Sequence, residues 1–301
     1  MSANIIQADA IDFLRAQPAD SLDLVFGSPP YEQARLYLEG GVNLGVSRKT
    51  DVWVGWMLEV YQAAQAACKG VVAFVVAGQT KNFRWSAGPA LLMAELHRAG
   101  MNLRNPPIFS RIGIPGSGGP DWLRNDYEWI VCTSRPGKLP WSDNTAMGHL
   151  PKWAPGGEMS SRLTDGTRVN SPKDGVKDRE KWGGRRCTSG HKNGDTLNDD
   201  GYDPPAIANP GNIVKALVGG GVMGDRLCHE NEAPFPEALA EFFVLSFCPP
   251  GGVVCDPFSG SGTTAAVAHR YGRSFPGCDL RQSQVDLSIK RVATVAPVMF
   301  Q

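Results

Sequence analysis

Three apolar runs in this sequence end in residues able to hold a ligand. The first, Val253-Val254-Cys255, leads into Asp256-Pro257-Phe258-Ser259-Gly260-Ser261-Gly262-Thr263-Thr264. A strand closing on an acid, then a Gly-x-Gly turn and a helix start, brings backbone N–H groups and a helix N-terminus against a ligand. No Lys follows the glycines and an acid precedes them, which argues against a phosphate loop. The acid suits a cationic or amine-bearing ligand instead. The second run, residues 275–278, ends at Asp279. A carboxylate about 20 residues beyond such a turn can accept both hydroxyls of a ribose; a helix N-cap uses the same residue type. The third run, 22–27, passes into Ser28-Pro29-Pro30-Tyr31. Prolines lack N–H groups and fix the backbone, so their carbonyls stand outward as acceptors. A rigid acceptor, a small hydroxyl and an aromatic ring suit a planar heterocycle bearing an amino group. Each motif alone also matches a plain turn after a strand.

The elements that position these motifs alternate along the chain. Strand patterns cover 4–8, 22–27, 71–77, 101–109, 127–133, 253–255 and 275–278. Helical patterns cover 10–15, about 52–67 (with Trp53, Trp56 and Val60 on one face), 88–99, 236–247, 263–271 and 282–292. The alternation predicts an α/β fold, a seven-stranded and mainly parallel sheet covered on both faces. Residues 135–210 differ: they are rich in Gly, Pro, Ser, Asn and charge, without apolar period. The outer zones, 1–134 and 211–301, read as two halves of one domain around this irregular insert. From Arg135 to Lys192, twelve Lys/Arg oppose six acids, a local charge of +6, with Trp141, Trp153 and Trp182 interleaved. A solvated loop explains such an excess, and so do contacts to phosphates.

Composition narrows the class. A chain of 301 residues buries about 75% of its unfolded surface and needs no staple. Thirty Lys+Arg balance thirty Asp+Glu, which excludes a wholly basic binder but not a basic patch. The seven cysteines are scattered with no C-x-x-C pair, so neither a disulfide framework nor a metal site is expected. With no apolar run long enough for a membrane span, the sequence reads as soluble and cytoplasmic.

Together the motifs resemble the DNA amino-methyltransferases, which move a methyl from S-adenosylmethionine to N4 of cytosine or N6 of adenine. Ser28–Tyr31 comes first, His229-Glu230-Asn231-Glu232-Ala233-Pro234-Phe235-Pro236-Glu237 follows the insert, and Asp256–Thr264 comes last. This circularly permuted order is similar to the family's β group. The opening Ile5-Ile6-Gln7-Ala8-Asp9 and the strand Asp126-Tyr127-Glu128-Trp129-Ile130-Val131 extend the match over roughly 1–134 and 205–295.

The resemblance implies a Rossmann-like fold, S-adenosylmethionine as cofactor and the insert as target-recognition region. It places Asp256, Pro257, Phe258, Gly260, Gly262, Thr263 and Thr264 along the methionine and sugar of the cofactor. Asp279 falls at the ribose and Asp9 near the adenine, with Pro234, Phe235 and Pro236 as a wall. Ser28 and the Pro29 carbonyl hold the target amine in the Pro30-containing turn, and Tyr31 stacks on a base lifted from the duplex. Lys181, Arg185 and Arg186 of the insert are the expected DNA contacts. Gln7-Ala8-Asp9 departs from the usual Gly-Asp, and the His229 segment is longer than the family's. Serine at the head of Ser-Pro-Pro-Tyr resembles the N4-cytosine branch; N6-adenine is the alternative. The implied partners are double-stranded DNA and a cognate restriction endonuclease, in a prokaryotic or phage-encoded setting, for a monomer or a homodimer. Methylation of RNA or of a protein amide, and a subunit that binds without turnover, are the competing readings.

Overall fold

The computed structural model describes residues 3–32, 38–39, 42–43, 48–113, 120–150, 160–162, 168–170, 207–219, 223–231 and 233–298. In chain order the elements are β1 (Ala3–Gln7), α1 (Ala10–Arg15), β2 (Leu22–Gly27), α2 (Thr50–Ala67), β3 (Cys68–Val76) and α3 (Gly88–Arg98). They continue with β4 (Asn102–Leu103), β5 (Ile108–Ile112), β6 (Tyr127–Ser134), β7 (Ile213–Leu217), α4 (Glu237–Phe247), β8 (Val254–Cys255), α5 (Thr263–Arg270), β9 (Phe275–Asp279) and α6 (Gln282–Ala293). Residues 1–147 with 211–301 form one compact unit, and 148–210 a second. In the second, His149 and Ala208 pair antiparallel, as do Ser160–Arg162 and Arg168–Asn170.

The main sheet runs β7-β5-β6-β3-β2-β8, with β4 as seventh strand pairing with β6. It is mixed: β6 lies antiparallel to β3, β4 and β5, while β2 with β3, β8 with β2 and β7 with β5 are parallel. β1 and β9 pair parallel with each other, and single bridges at Val253–Ser274 and Asp256–Gly277 carry the surface on from β8 to β9. The expected number of strands holds, but their membership and direction do not.

Two differences have local causes. The run 101–109, expected as one strand, is two, because Pro106 and Pro107 cannot donate to a ladder. β4 therefore pairs with the end of β6 (Thr133–Leu103) and β5 with its start (Glu128–Phe109). β7 was not expected, since its short run lies beside a glycine tract; its buried residues, Val214 and Ala216, alternate with exposed Ile213, Lys215 and Leu217. That is the period-2 signature of an edge strand covered on one face.

β3 explains why the sheet is central. Val71, Ala73 and Val75 pack on one face with Leu24, Phe26, Phe243 and Val267, and Val72, Phe74 and Val76 on the other with Leu22, Trp53, Tyr61 and Leu92. A strand buried on both faces reads as a continuous apolar run rather than an alternating one. Helices α4, α5 and α6 cover the first face and α1, α2 and α3 the second. Among the described residues, no helix is long and apolar enough to cross a membrane.

Candidate active site

The motifs singled out from the sequence converge because their strands end at one edge of the sheet, where α/β folds place ligands. β2 delivers Ser28–Tyr31, β8 the glycine turn, β9 Asp279 and β1 Asp9. β6 runs the other way, so its first residues, including Glu128, arrive at the same edge. A cleft of about 790 Å³ opens there, lined by Asp9, Ser28, Pro29, Pro30, Tyr31, Pro234, Phe235, Pro236, Pro257, Phe258, Gly260, Thr263 and Asp279. Asp256, Gly262 and Thr264 do not reach the surface of the cleft; they are buried behind it.

The glycine turn is held from below. Asp256, 1% exposed, accepts the Phe258 N–H at 2.9 Å. Its carboxylate lies against Gly27, where a Cβ would overlap it. Gly260 has φ of +50° and a Cβ there would meet the Asn231 amide, so only glycine fits. Arg291, wholly buried, donates to the Ser261 carbonyl at 3.3 Å and the Thr263 hydroxyl at 2.9 Å, and pairs with Glu237 at 2.7 Å. Glu237 also pairs with Arg270, so the turn, α4, α5 and α6 share one ionic knot.

Desolvation pushes the Asp256 carboxyl up from its ordinary 3.8 to about 7, against the Phe258 N–H and Thr264 hydroxyl, which favour its charge. Its neutral form thus contributes stability that is fully present below pH 3.8 and is lost as pH rises to about 7. The thermal midpoint of the ligand-free protein should therefore fall more steeply between pH 5 and 8 than that of Asp256→Asn. Parallel calorimetric curves would remove Asp256 from this role.

Asp279 accepts the Gly260 N–H on Oδ2 (3.0 Å) and the Arg281 N–H on Oδ1 (2.9 Å), so it ties the glycine turn to the start of α6. Asp9 Oδ1 caps α1 through the Ile11 N–H at 2.8 Å. Phe235 is fixed edge-on to Phe26, which itself stacks on Phe243 at 4.6 Å, and Pro236 immediately precedes α4. Phe258 meets Trp56 and Phe74 edge-on.

On the other side, the Ser28 hydroxyl lies 3.3 Å from Tyr31 Oη and 3.4 Å from the Val75 carbonyl. The Tyr31 hydroxyl donates to Glu128 Oε2 at 2.8 Å, and Arg111 pairs with Glu128 Oε1 at 3.2 Å. Burial, then the charge of Glu128, raises the Tyr31 hydroxyl well above its usual value, so it stays a neutral donor. The Trp53 indole N–H takes the Pro30 carbonyl at 2.8 Å. No hydrogen bond reaches the Pro29 carbonyl among the described residues, which leaves that acceptor to the cleft.

Glu128, Arg111, Arg48 and Trp56 line the cleft and were not singled out. Glu128 carried a signal, since it sits in the strand 126–131 already noted. Arg111 falls diagonally across from it because Glu128 is opposite Phe109 in the β5–β6 ladder. Arg48 lies over the Trp56 ring at 4.2 Å, and burial lowers its guanidinium while the charge of Asp9 raises it. Neither arginine belongs to a motif. Lys181, Arg185 and Arg186 lie outside the described residues.

The chain resembles known DNA methyltransferases in sequence and in fold. The sequence is 24% identical over 288 residues to the type II methyltransferase M.BglII of Bacillus subtilis, covering 94% of this chain and 67% of that protein. It is 23% identical over 292 residues to the DNA adenine methyltransferase YhdJ of Escherichia coli, covering 96% and 82%. The solved PvuII DNA methyltransferase, cytosine-N4-specific, shares the fold with a TM-score of 0.64 at 17% identity, covering 97% of this chain and 86% of that one. The N6/N4 methyltransferase family model, described as DNA methylase, matches residues 22–290. The chain belongs to this N6/N4 DNA methylase family, whose members depend on S-adenosylmethionine.

Proposed function

We propose that the β8–β9 side of the cleft holds S-adenosylmethionine and the β2–β6 side a base lifted from DNA, whose exocyclic amine is methylated, with N4 of cytosine favoured. The observation that carries this is the meeting of the glycine turn and the Ser28–Pro29 acceptors in one cleft. The residues present fit the cofactor: a side-chain-free Gly260, apolar faces at Phe235 and Phe258, and carboxylates at Asp9 and Asp279 for the hydroxyl- and amine-bearing parts. Asp256, behind the turn, supplies a charge that a cation would stabilise. Motif order, with the Ser28 turn before the glycine turn, supports the permuted β-group arrangement.

S-adenosylmethionine, when bound, supplies an electrophilic methyl on a sulfonium sulfur. An exocyclic amine is a poor nucleophile because its lone pair is delocalised into the ring. The Ser28 hydroxyl and the Pro29 carbonyl accept its two N–H bonds, which favours a pyramidal nitrogen. Tyr31, anchored by Glu128, presents its ring to the base. Catalysis is then mainly positioning and preorganised electrostatics.

The preference for cytosine rests on the resemblance of Ser28 to the N4-cytosine branch, since a serine there can serve either base. A hydroxyl can accept from the amine or donate to the neighbouring ring nitrogen, whereas a carboxylate only accepts. Relatives point both ways, YhdJ being named for adenine and the PvuII enzyme for cytosine-N4. Mass spectrometry of nucleosides from DNA treated with the protein should show N4-methylcytosine; N6-methyladenine alone would overturn the cytosine assignment.

The 135–210 insert is proposed to read the DNA, in a bacterial or phage cytoplasm and beside a restriction endonuclease. If Lys181, Arg185 and Arg186 are among about five phosphate contacts, log affinity against log salt should slope near −4 to −5 and flatten when they are neutralised. A slope unchanged in that triple variant would place the basic surface elsewhere.

A further inference from the structure

β3 leaves the sheet through Ala77 and Gly78, which line the cleft, and the chain then forms a small hairpin, Thr80–Lys81 paired with Arg84–Trp85. Its root is closed by the Ser86 N–H donating to the Gln79 carbonyl at 2.8 Å and the Gln79 N–H donating to Ser86 Oγ at 3.0 Å. The Ser86 hydroxyl donates in turn to Glu32, a buried carboxylate next to Tyr31. The Trp85 indole lies over Gly78, where a Cβ would overlap its nitrogen. The hairpin is therefore a braced extension of the cleft wall.

Its tip is unusual in a way that folding does not require. Asn82 and Phe83 both have positive φ, 51° and 61°. Positive φ at both central residues is the geometry of a type I′ hairpin turn, where Asn-Gly is the favoured pair. The second position here holds a bulky aromatic, a side chain that rarely adopts this conformation. Phe83 is also 79% exposed, so the strained residue contributes little burial. Lys81 and Arg84 flank it, exposed and without an ion-pair partner among the described residues.

Strain kept at a site without a folding benefit points to function. We propose that this hairpin enters duplex DNA beside the target nucleotide. Phe83 is the wedge that stacks in the gap left by the extruded base, and Lys81 and Arg84 meet the flanking phosphates. The proposal rests on the DNA-methyltransferase reading of the cleft and adds the element that holds the duplex open.

The test uses Phe83→Gly, because glycine adopts the tip conformation without strain and should leave the thermal midpoint at or above that of the wild type. The methylated sequence is first located in plasmid DNA from cells expressing the protein, and synthetic duplexes are made with the target base paired or mispaired. On the paired duplex, kcat/KM of the variant should fall roughly 5- to 150-fold, the worth of one stacked base. On the mispaired duplex, where extrusion costs less, the deficit should shrink to about twofold. A variant that matches the wild type on the paired duplex, or is equally impaired on both, overturns the wedge. Plasmid DNA that gains no methylated sequence when the protein is expressed overturns the methyltransferase reading itself.

Discussion

Glu128→Ala should lower kcat on the order of 100-fold, about 2.7 kcal/mol in the barrier, while leaving the Kd for S-adenosylmethionine nearly unchanged. Glu128 binds two partners at once, the Tyr31 hydroxyl at 2.8 Å and the Arg111 guanidinium at 3.2 Å. Removing it leaves a shielded cation and a shielded hydroxyl without their acceptor. Breaking a buried pair this way typically costs about 3–5 kcal/mol, discounted here because Arg111 retains a quarter of its side-chain exposure. The Tyr31 ring then loses the anchor that sets its plane against the base. Tyr31→Phe keeps the ring and loses only the hydroxyl's bonds to Glu128 and Ser28, so its effect should be on the order of tenfold. Steady-state kinetics with DNA as the varied substrate separates the two. A Glu128→Ala protein turning over at the wild-type rate would reduce Glu128 to a fold element.

Asp279→Ala should weaken S-adenosylmethionine binding about 10- to 150-fold, the loss of charge-assisted bonds worth about 1.5–3 kcal/mol. The same carboxylate takes the Gly260 and Arg281 N–H groups in the ligand-free protein. Its removal therefore also loosens the glycine turn, on the order of 1 kcal/mol as for a lost helix cap. Calorimetric titration and thermal unfolding of the same variant divide these contributions. A large change in Kd with a small change in midpoint supports the ribose assignment. A lowered midpoint with unchanged Kd makes Asp279 a tie between turn and helix only.

The parts of this molecule that were legible in the sequence are those where one local pattern has one physical cause. The apolar run 71–77 read as a strand, and an apolar strand followed by Gly-Ser-Gly-Thr-Thr read as entering a helix. Ser28–Tyr31, Asp256–Thr264 and Asp279 stand out in the sequence for that reason. What was missed depends on registers between segments distant in sequence. Arg111 faces Glu128 only because β5 and β6 pair antiparallel with Phe109 opposite Glu128. Arg48 meets Trp56 because α2 turns that indole toward the cleft. The burial of Asp256 likewise depends on the close approach of Gly27, 229 positions away, which no spacing rule reveals. The split of 101–109 was readable in principle from Pro106-Pro107, and β7 from its alternation, but each signal is only a few residues long.

Methyl transfer in this cleft to an amine of a DNA base can be tested directly. The direct measurement is transfer of tritium from methyl-labelled S-adenosylmethionine to duplex DNA, RNA and protein in parallel, with wild-type protein and Ser28→Ala. Label is expected in DNA alone, strongly reduced in Ser28→Ala while DNA binding persists, because that hydroxyl matters most as the amine pyramidalises. Label in RNA or protein instead of DNA, or none in DNA from a protein that binds S-adenosylmethionine, would contradict it.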